Sequence, residues 1–587
     1  MEVLRTAALR ALLLLLVLVP ASQAAHAQDE LPELATGRTE KAPVVAHRFL
    51  AATANPHATD AAYAVLREGG TAVDAAIAAQ LVLGLVEPQS SGLGGGAFML
   101  YHDARTRRIT VFDGRETAPA AARPDRFLDA NGRPLAFHDA VVGGRSVGVP
   151  GTVALLVAAH ARYGRLPWRR LFAPAIGLAQ NGFPISARLA ALIAAERHFE
   201  QPRIRAYFLE PDGSPKAAGT LLRNPSYAAT LRTLAEQGGS AFYRGTIAAD
   251  VVQTADDAPR RRGDLTLDDL ARYRVQLREP VCGRYRAYTV CGAPPPSSGG
   301  ITLLQILKLL EPFDVASMGP ATFWSVHFLS EAGRLAYADR VYIADPAFVP
   351  LPGDLLNESY LRDRSREISA LRDMGRAAPG DPPPFPHQSH VARARRNGAA
   401  AEFPSTSQLC IVDRYGNAVS MTTTIEDAFG SRLMTQGGFL LNNELTDFAF
   451  APIADGKPVA NRVEPGKRPR SAMAPTIVYG RDGRIAILVG SPGGPAIINY
   501  VAKTLLAIID WKLDPQAAAG LANFGNRNGA TELESDTSVV DLAPRLRSIG
   551  HVVRVGPHPS GVQVLVHTGN HWVGGSDPRR EGTVRGD

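Results

Sequence analysis

Two runs, QLCIVD at 408–413 and AVSMTTT at 418–424, flank the turn-forming RYGN at 414–417. Their strand-favouring residues, with Gly and Asn between them, predict a β-hairpin. A two-residue turn at Tyr415–Gly416 pairs Arg414 with Asn417 and Asp413 with Ala418. Continued, that register sets Ser407 opposite Thr424 and Thr406 opposite Ile425. Thr424 then lies beside Thr406, within reach of a cross-strand or diagonal contact. Hydroxyls collect at this open end: Ser405, Thr406 and Ser407 follow Pro404, and Thr422 to Thr424 close the partner strand.

A threonine pair in a hairpin is ordinarily just that, because threonine is common in strands. Position gives this one weight. Residues 376–404 are polar, Pro- and Arg-rich and patternless, so the hydroxyls begin a strand directly after a linker. A threonine hydroxyl has no useful base of its own. Cutting the chain just before it supplies one, a new α-amino group with a pKa of about 7.7–8.0.

The rest of the chain surrounds the hairpin with mixed patterns. ATDAAYAVLREGG and TAVDAAIAAQLVLGLV, within 58–87, read as helices, the first ended by Gly69–Gly70. SGLGGGAFMLYHD and RITVFDGRETAP read as glycine loop, strand, turn and strand. Residues 151–350 are mostly helical, with a helix starting near Ile301, and strands dominate from the hairpin to about 446. No internal repeat is present, and the mixed order predicts one large domain of α and β layers. At 45% hydrophobic and 20% charged, the 587 residues can fill a sizeable core. The +7 charge is scattered rather than patched, which argues against nucleic acid. Arg5 and Arg10, the apolar ALLLLLVLVP and AHA at 25–27 read as a signal peptide cut after Ala27, giving an exported, periplasmic or secreted protein. That run is too short for a strong membrane span, so no stable membrane span is expected. Export permits a disulfide between Cys282 and Cys291, which flank the hairpin-like GRYRAYTV; two free thiols are the alternative. Cys410 reads as a buried packing residue.

Two familiar motifs fail on context. GRSVG at 144–148 fits the nucleophile elbow, but Pro150 and Gly151 delay the helix that must follow the serine. GLGGGA at 92–97 fits the dinucleotide fingerprint, but it follows a helix and opens a strand, the inverse of the required order. A tight turn lining a pocket is the better reading. Neither HExxH, a P-loop nor a clustered Cys/His spacing is present, so no metal or cofactor is expected.

PSTSQLCIVDRYGNAVSMTTTIEDAFGS, GGFLLNNELTDF, KRPRSAMAPTIV and GSPGG resemble the γ-glutamyltransferase (γ-glutamyltranspeptidase) family of N-terminal nucleophile hydrolases. SGLGGGAFML, DGRETAP, SVGVPGT, PPPSSGG and GGSDPRREG match in the same order, so the resemblance covers nearly all of the chain after the signal peptide. It implies an α+β fold: a four-layer αββα sandwich, two stacked, mostly antiparallel sheets between helical layers. It implies a precursor cleaved between Ser405 and Thr406 into a large subunit (28–405) and a small one (406–587). It also chooses Thr406 over its neighbours as nucleophile, with Thr424 holding the Thr406 amine or hydroxyl.

Glu444 and Asp447, three apart in NNELTDF, share one face if the segment turns helically and would suit an ammonium. A short capped helix with solvated acids is the plainer reading. The resemblance makes them ligands of a substrate α-amino group, Arg115 the α-carboxylate ligand and Ser471 a pocket serine. It makes Gly493 and Gly494 the oxyanion hole. Three departures bear on substrate. Glu426 stands where asparagine often sits, Ala472 replaces a second serine, and the loop Phe448–Pro465 is shorter than in lidded members and lacks their tyrosine. The implied activity is γ-glutamyl transfer from a small-molecule amide to water or an amine. An acylase for a glutaryl β-lactam side chain and an unprocessed, non-catalytic binding protein are the rivals.

Overall fold

Strands β8 (Ser405–Val412) and β9 (Ala418–Glu426) are buried along their whole length, on both faces. Alternation explains how. Leu409 and Ile411 point into one apolar cluster with Val419 and Met421, whereas Cys410 and Val412 point into another with Ala418. A strand apolar on both sides must lie inside a layered stack.

The computed structural model describes residues 37–385 and 405–587. The segment read as a signal peptide and most of the Pro- and Arg-rich linker therefore lie outside the described residues. The other strands of the two large sheets are β1 (Val44–Ala46), β2 (Leu50–Thr53), β3 (Gly96–Asp103), β4 (Arg108–Gly114), β5 (Gln276–Arg278), β6 (Val281–Tyr285) and β7 (Tyr288–Gly292) before the hairpin. After it come β10 (Thr476–Tyr479), β11 (Ile485–Gly490), β12 (Gln563–Thr568), β13 (His571–Ser576) and β14 (Thr583–Gly586). One sheet runs β14-β2-β8-β9-β3-β4-β5 and the other β1-β13-β12-β11-β10-β7-β6. Each pairing within these two sheets is antiparallel.

One cluster joins the outer face of the hairpin sheet to helices Pro56–Arg67, Ala72–Val86 and Thr152–Tyr163. The other joins its inner face to the second sheet and to helices Gly299–Leu310, Phe323–Asp339 and Ile497–Ile509. The order helix, sheet, sheet, helix is the αββα sandwich. Helix Ala72–Val86 is buried at each of its fifteen residues, which its alanine-rich composition permits: small side chains let sheet and neighbouring helices approach on all sides. Thr71 caps it, accepting from Asp74 N–H while the Asp74 carboxylate accepts from Thr71 N–H. The helix expected near Ile301 begins at Gly299.

Two expectations need correction. The hairpin loop holds three residues rather than two: Asp413 N–H donates to Asn417 O, and Thr406 faces Thr424 rather than Ile425. The Asp413 side chain is the cause. Its Oδ1 accepts from the N–H groups of Tyr415 and Asn417, drawing one more residue into the turn, while Gly416 takes the left-handed conformation at φ 84°. Strands also stop at Glu426 instead of running towards 446. Residues 427–443 form a looped segment with positive φ at Phe429, Gly430, Arg432 and Gly438, a backbone incompatible with a ladder.

Cys282 and Cys291 oppose each other across β6 and β7 and are joined as a disulfide, Cα atoms 4.1 Å apart. Cys410 is fully buried, and desolvation pushes its thiol up to about 12, which leaves it unreactive. Among the described residues no helix is long and apolar enough to cross a membrane.

Candidate active site

The three-residue loop brings the two threonine hydroxyls together at the mouth of the sandwich. Thr406 Oγ1 donates to Thr424 Oγ1 at 3.3 Å, and Thr424 Oγ1 donates to the carbonyl of Ser405 at 2.5 Å. Glu426 N–H donates back to Thr424 Oγ1 at 2.9 Å, fixing that hydroxyl's orientation. The Thr406 hydroxyl is thus wired through Thr424 to the carbonyl of its own preceding peptide. The register shifts between Ser405 and Thr406: Ile425 drops out of the ladder, its N–H donating to Ser90 O, and Ser405 pairs with Glu426, itself at φ 78°. Ser405 Oγ donates to Gln89 O, so the peptide is held on both sides.

Next to the threonines lies a narrow cavity of about 20 Å³ lined by Arg115, Thr406, Thr424, Glu426, Glu444, Asp447, Ser471, Ala472, Met473, Gly494 and Ile497. Arg115 follows β4, and its guanidinium donates to Glu444 and Asp447 through separate nitrogens. Nε donates to Pro469 O at 3.2 Å and Nη2 to Arg470 O at 2.9 Å. Glu444–Asp447 is a 3₁₀ turn, so both carboxylates reach one fork. Arg115 is only 1% exposed and Glu444 is fully buried. Burial pushes the Glu444 carboxyl up to about 8, against the pull of Arg115 and with the help of Glu116.

Glu426 accepts from Asn443 Nδ2, and from Thr446 Oγ1 at 3.4 Å. Ser471 is pinned by its backbone, donating to Pro296 O and accepting from Ser298, and its Oγ accepts from Met473 N–H at 3.1 Å. Ala472 lines the cavity without a polar group. Gly493 and Gly494 take positive φ, 136° and 54°, in the turn that opens helix Ile497–Ile509. A Cβ on Gly493 would meet Tyr500 at 2.5 Å, so that turn requires glycine there.

The two decoy motifs resolve structurally. Ser146 of GRSVG is buried and donates to Val141 O and Gly143 O, with no helix starting at it. In GLGGGA, a Cβ on Gly95 would lie 2.1 Å from Thr424 O, and one on Gly96 would lie 2.2 Å from Glu116 Oε2. The glycines therefore let β3 and its approach close on the hairpin and on Glu116, rather than lining the cavity.

With Thr406, Arg115, Glu444, Asp447 and Gly494 gathered on one cavity, the motifs dispersed along the sequence become a single site. The γ-glutamyltranspeptidase family model matches residues 58–586. The chain belongs to that family. As a γ-glutamyltranspeptidase-family enzyme it is 36% identical over 582 residues to the "Glutathione hydrolase proenzyme" of Bacillus subtilis (strain 168), spanning 98% of this chain and 97% of the relative. It is 33% identical over 545 residues to the "Acylase ACY 1 proenzyme" of Pseudomonas sp. (strain V22), spanning 91% and 92%. Its fold superposes on the cephalosporin acylase of Bacillus halodurans with a TM-score of 0.79 at 27% identity, over 93% of this chain and 97% of that one.

The family member's site contains groups that the motif reading passed over. Glu116 is fully buried beside Arg115, next to the acids Glu444 and Asp447 that Arg115 bridges. Asn443 holds Glu426 and, through Oδ1, the N–H of Asp427. Arg580 donates to Thr406 O at 3.5 Å while bracing on Pro559 O. Asn443 and Arg580 sit in quoted motifs, but nothing in their spacing marks them.

Proposed function

We propose that this chain is an exported, self-processing threonine enzyme that cleaves γ-glutamyl amides and passes the acyl group to water or an amine. The observation that carries the reading is the hydroxyl path from Thr406 through Thr424 to the Ser405 carbonyl. In the precursor, Thr406 Oγ attacks the Ser405 carbonyl carbon. Its proton passes to Thr424, which gives its own to the carbonyl oxygen. The C–N bond then breaks, the amine takes up a proton, and an ester remains on Thr406. Water hydrolyses that ester, leaving a large piece ending at Ser405 and a small piece with a free amine on Thr406.

That amine then serves as the general base for its own side chain. The donor's α-ammonium lies against Glu444 and Asp447 with Glu426 beside them, and its α-carboxylate meets Arg115 and Ser471. Attack by Thr406 Oγ on the γ-carbonyl builds an oxyanion towards the N–H groups of Gly493 and Gly494. The leaving amine takes the proton, and water or a second amine resolves the acyl-threonine. With Ala472 in place of a hydroxyl, the carboxylate end of the donor has one fewer contact.

N-terminal sequencing of the small fragment tests the cleavage; a start anywhere other than Thr406 rejects it. A glutaryl-specific acylase is the second reading, favoured by the acylase relative and the cephalosporin acylase fold match. Comparing γ-glutamyl and glutaryl anilides separates the two, since a glutaryl group offers no ammonium to Glu444 and Asp447. Thr424→Val keeps the strand and removes the relay hydroxyl. It is expected to slow self-cleavage by about 10²-fold or more on a gel time course; wild-type processing would remove Thr424 from the proton path.

A further inference from the structure

Glu116 stands behind the ammonium site and has no conventional partner. It is fully buried, and neither of its oxygens has an N–H or O–H donor among the described residues; nor has Glu444 Oε2. One guanidinium thus serves three buried acids, Glu116, Glu444 and Asp447. One cation cannot balance three ionised carboxylates away from water, so the cluster holds a proton. Gly96 leaves room for Glu116 Oε2, and Gly148 packs on its Cβ.

The charged and titratable neighbours leave the proton within this cluster of acids. Arg115 is engaged by Glu444, Asp447 and two backbone carbonyls. The Tyr243 hydroxyl donates to Pro150 O and that of Tyr273 to Arg115 O, and burial raises both well above their ordinary range, so they stay neutral. Burial pushes Glu116, like Glu444, up to about 8, with Arg115 opposing in both; Asp447 raises Glu116 and lowers Glu444.

We infer that Glu116 is a positioning residue that shares one proton with Glu444, and that the donor's ammonium displaces this proton when it binds. This rests on the reading that Glu444 receives an ammonium. The ammonium supplies the positive charge that the proton supplied in the empty site, so binding lowers the pair's proton affinity and the proton leaves to solvent. By linkage, affinity then rises with pH until the pair is ionised without ligand. The sign opposes a purely structural Glu116, whose removal would weaken binding without changing proton uptake.

The test uses the processed enzyme with L-glutamate as probe and calorimetry in two buffers of different ionisation enthalpy. Wild type is expected to release about one proton per glutamate near neutral pH and to gain roughly tenfold in affinity over the next pH unit. Glu116→Gln, whose amide donates to Glu444 permanently, is expected to bind with no proton release and a flat profile. Glutamate binding to wild type without proton release overturns the inference, whatever the variant does. So does release by Glu116→Gln equal to wild type. Binding of glutarate but not glutamate overturns the donor reading itself, and this inference with it; the first two outcomes leave the donor reading standing.

Discussion

Thr406→Ala is expected to run as one full-length chain on a denaturing gel and to show no measurable turnover. In the proposed mechanism both losses follow from the same atom. Thr406 Oγ1 is the hydroxyl that Thr424 links to the Ser405 carbonyl, so without it the peptide has no attacking group and stays closed. An intact peptide leaves no α-amine, and the catalytic base is missing as well as the nucleophile. The expected loss of activity is at least about 10⁴-fold, the scale on which removal of a nucleophile registers in hydrolases. Thr406→Ser separates the requirements. It keeps the hydroxyl but loses the methyl that restricts χ1, so it should still cleave and turn over, more slowly. Intact-mass measurement on each variant, beside a γ-glutamyl anilide assay, reads both steps. A Thr406→Ala chain that cleaves itself would assign the attack to Ser405 or Ser407.

How much of this was open to sequence reading depended on how far the contacts reach. The hairpin was legible because its signals are local: strand-favouring runs, a Tyr-Gly turn and hydroxyls at both open ends. The register missed by one because the Asp413 carboxylate chooses the turn, and side-chain-to-backbone bonds of that kind leave no mark in a hydropathy pattern. The Glu444–Asp447 pair was legible from its spacing, and the 3₁₀ turn turns both acids to one side. That they share a pocket with Arg115, 329 positions away from Glu444, was not derivable from spacing and entered through family resemblance; their direct pairing with it was not foreseen. Glu116 was quoted with Arg115 in DGRETAP and passed over, since an Arg-Glu step reads as surface. The usable signal lay in the glycine run at 94–96, whose crowding only the fold reveals. The strand expectation beyond Glu426 failed for a related reason: its apolar residues fill the core from a looped backbone.

Arg115→Met tests the charged cluster itself, and its expected effects are large in both binding and stability. The guanidinium is 1% exposed and faces Glu444 and Asp447 directly, with Glu116 next in chain. Methionine keeps much of the stem while leaving three acids with no cation. Breaking a buried ion cluster from one side typically costs about 3–5 kcal/mol, because the remaining charges stay desolvated. The acids respond by holding protons. Arg115 lowers the carboxyls of Glu116 and Glu444, which burial already places at about 8, so its loss raises both further. A carboxyl raised in the folded state contributes stability that is present at low pH and lost as pH climbs through the folded value. The variant should therefore melt only modestly below wild type near pH 6 and progressively further below it above about pH 8. With its acids neutral, the site should bind the donor poorly, raising KM for a γ-glutamyl anilide by about 10²-fold or more. Arg115→Lys restores a charge but not the fork, and is expected to recover stability more than affinity. Thermal melts across pH 6–9, with KM measured on the same preparations, check both arms. An Arg115→Met protein whose melting deficit does not grow with pH would show that the carboxyls are not held together by that guanidinium.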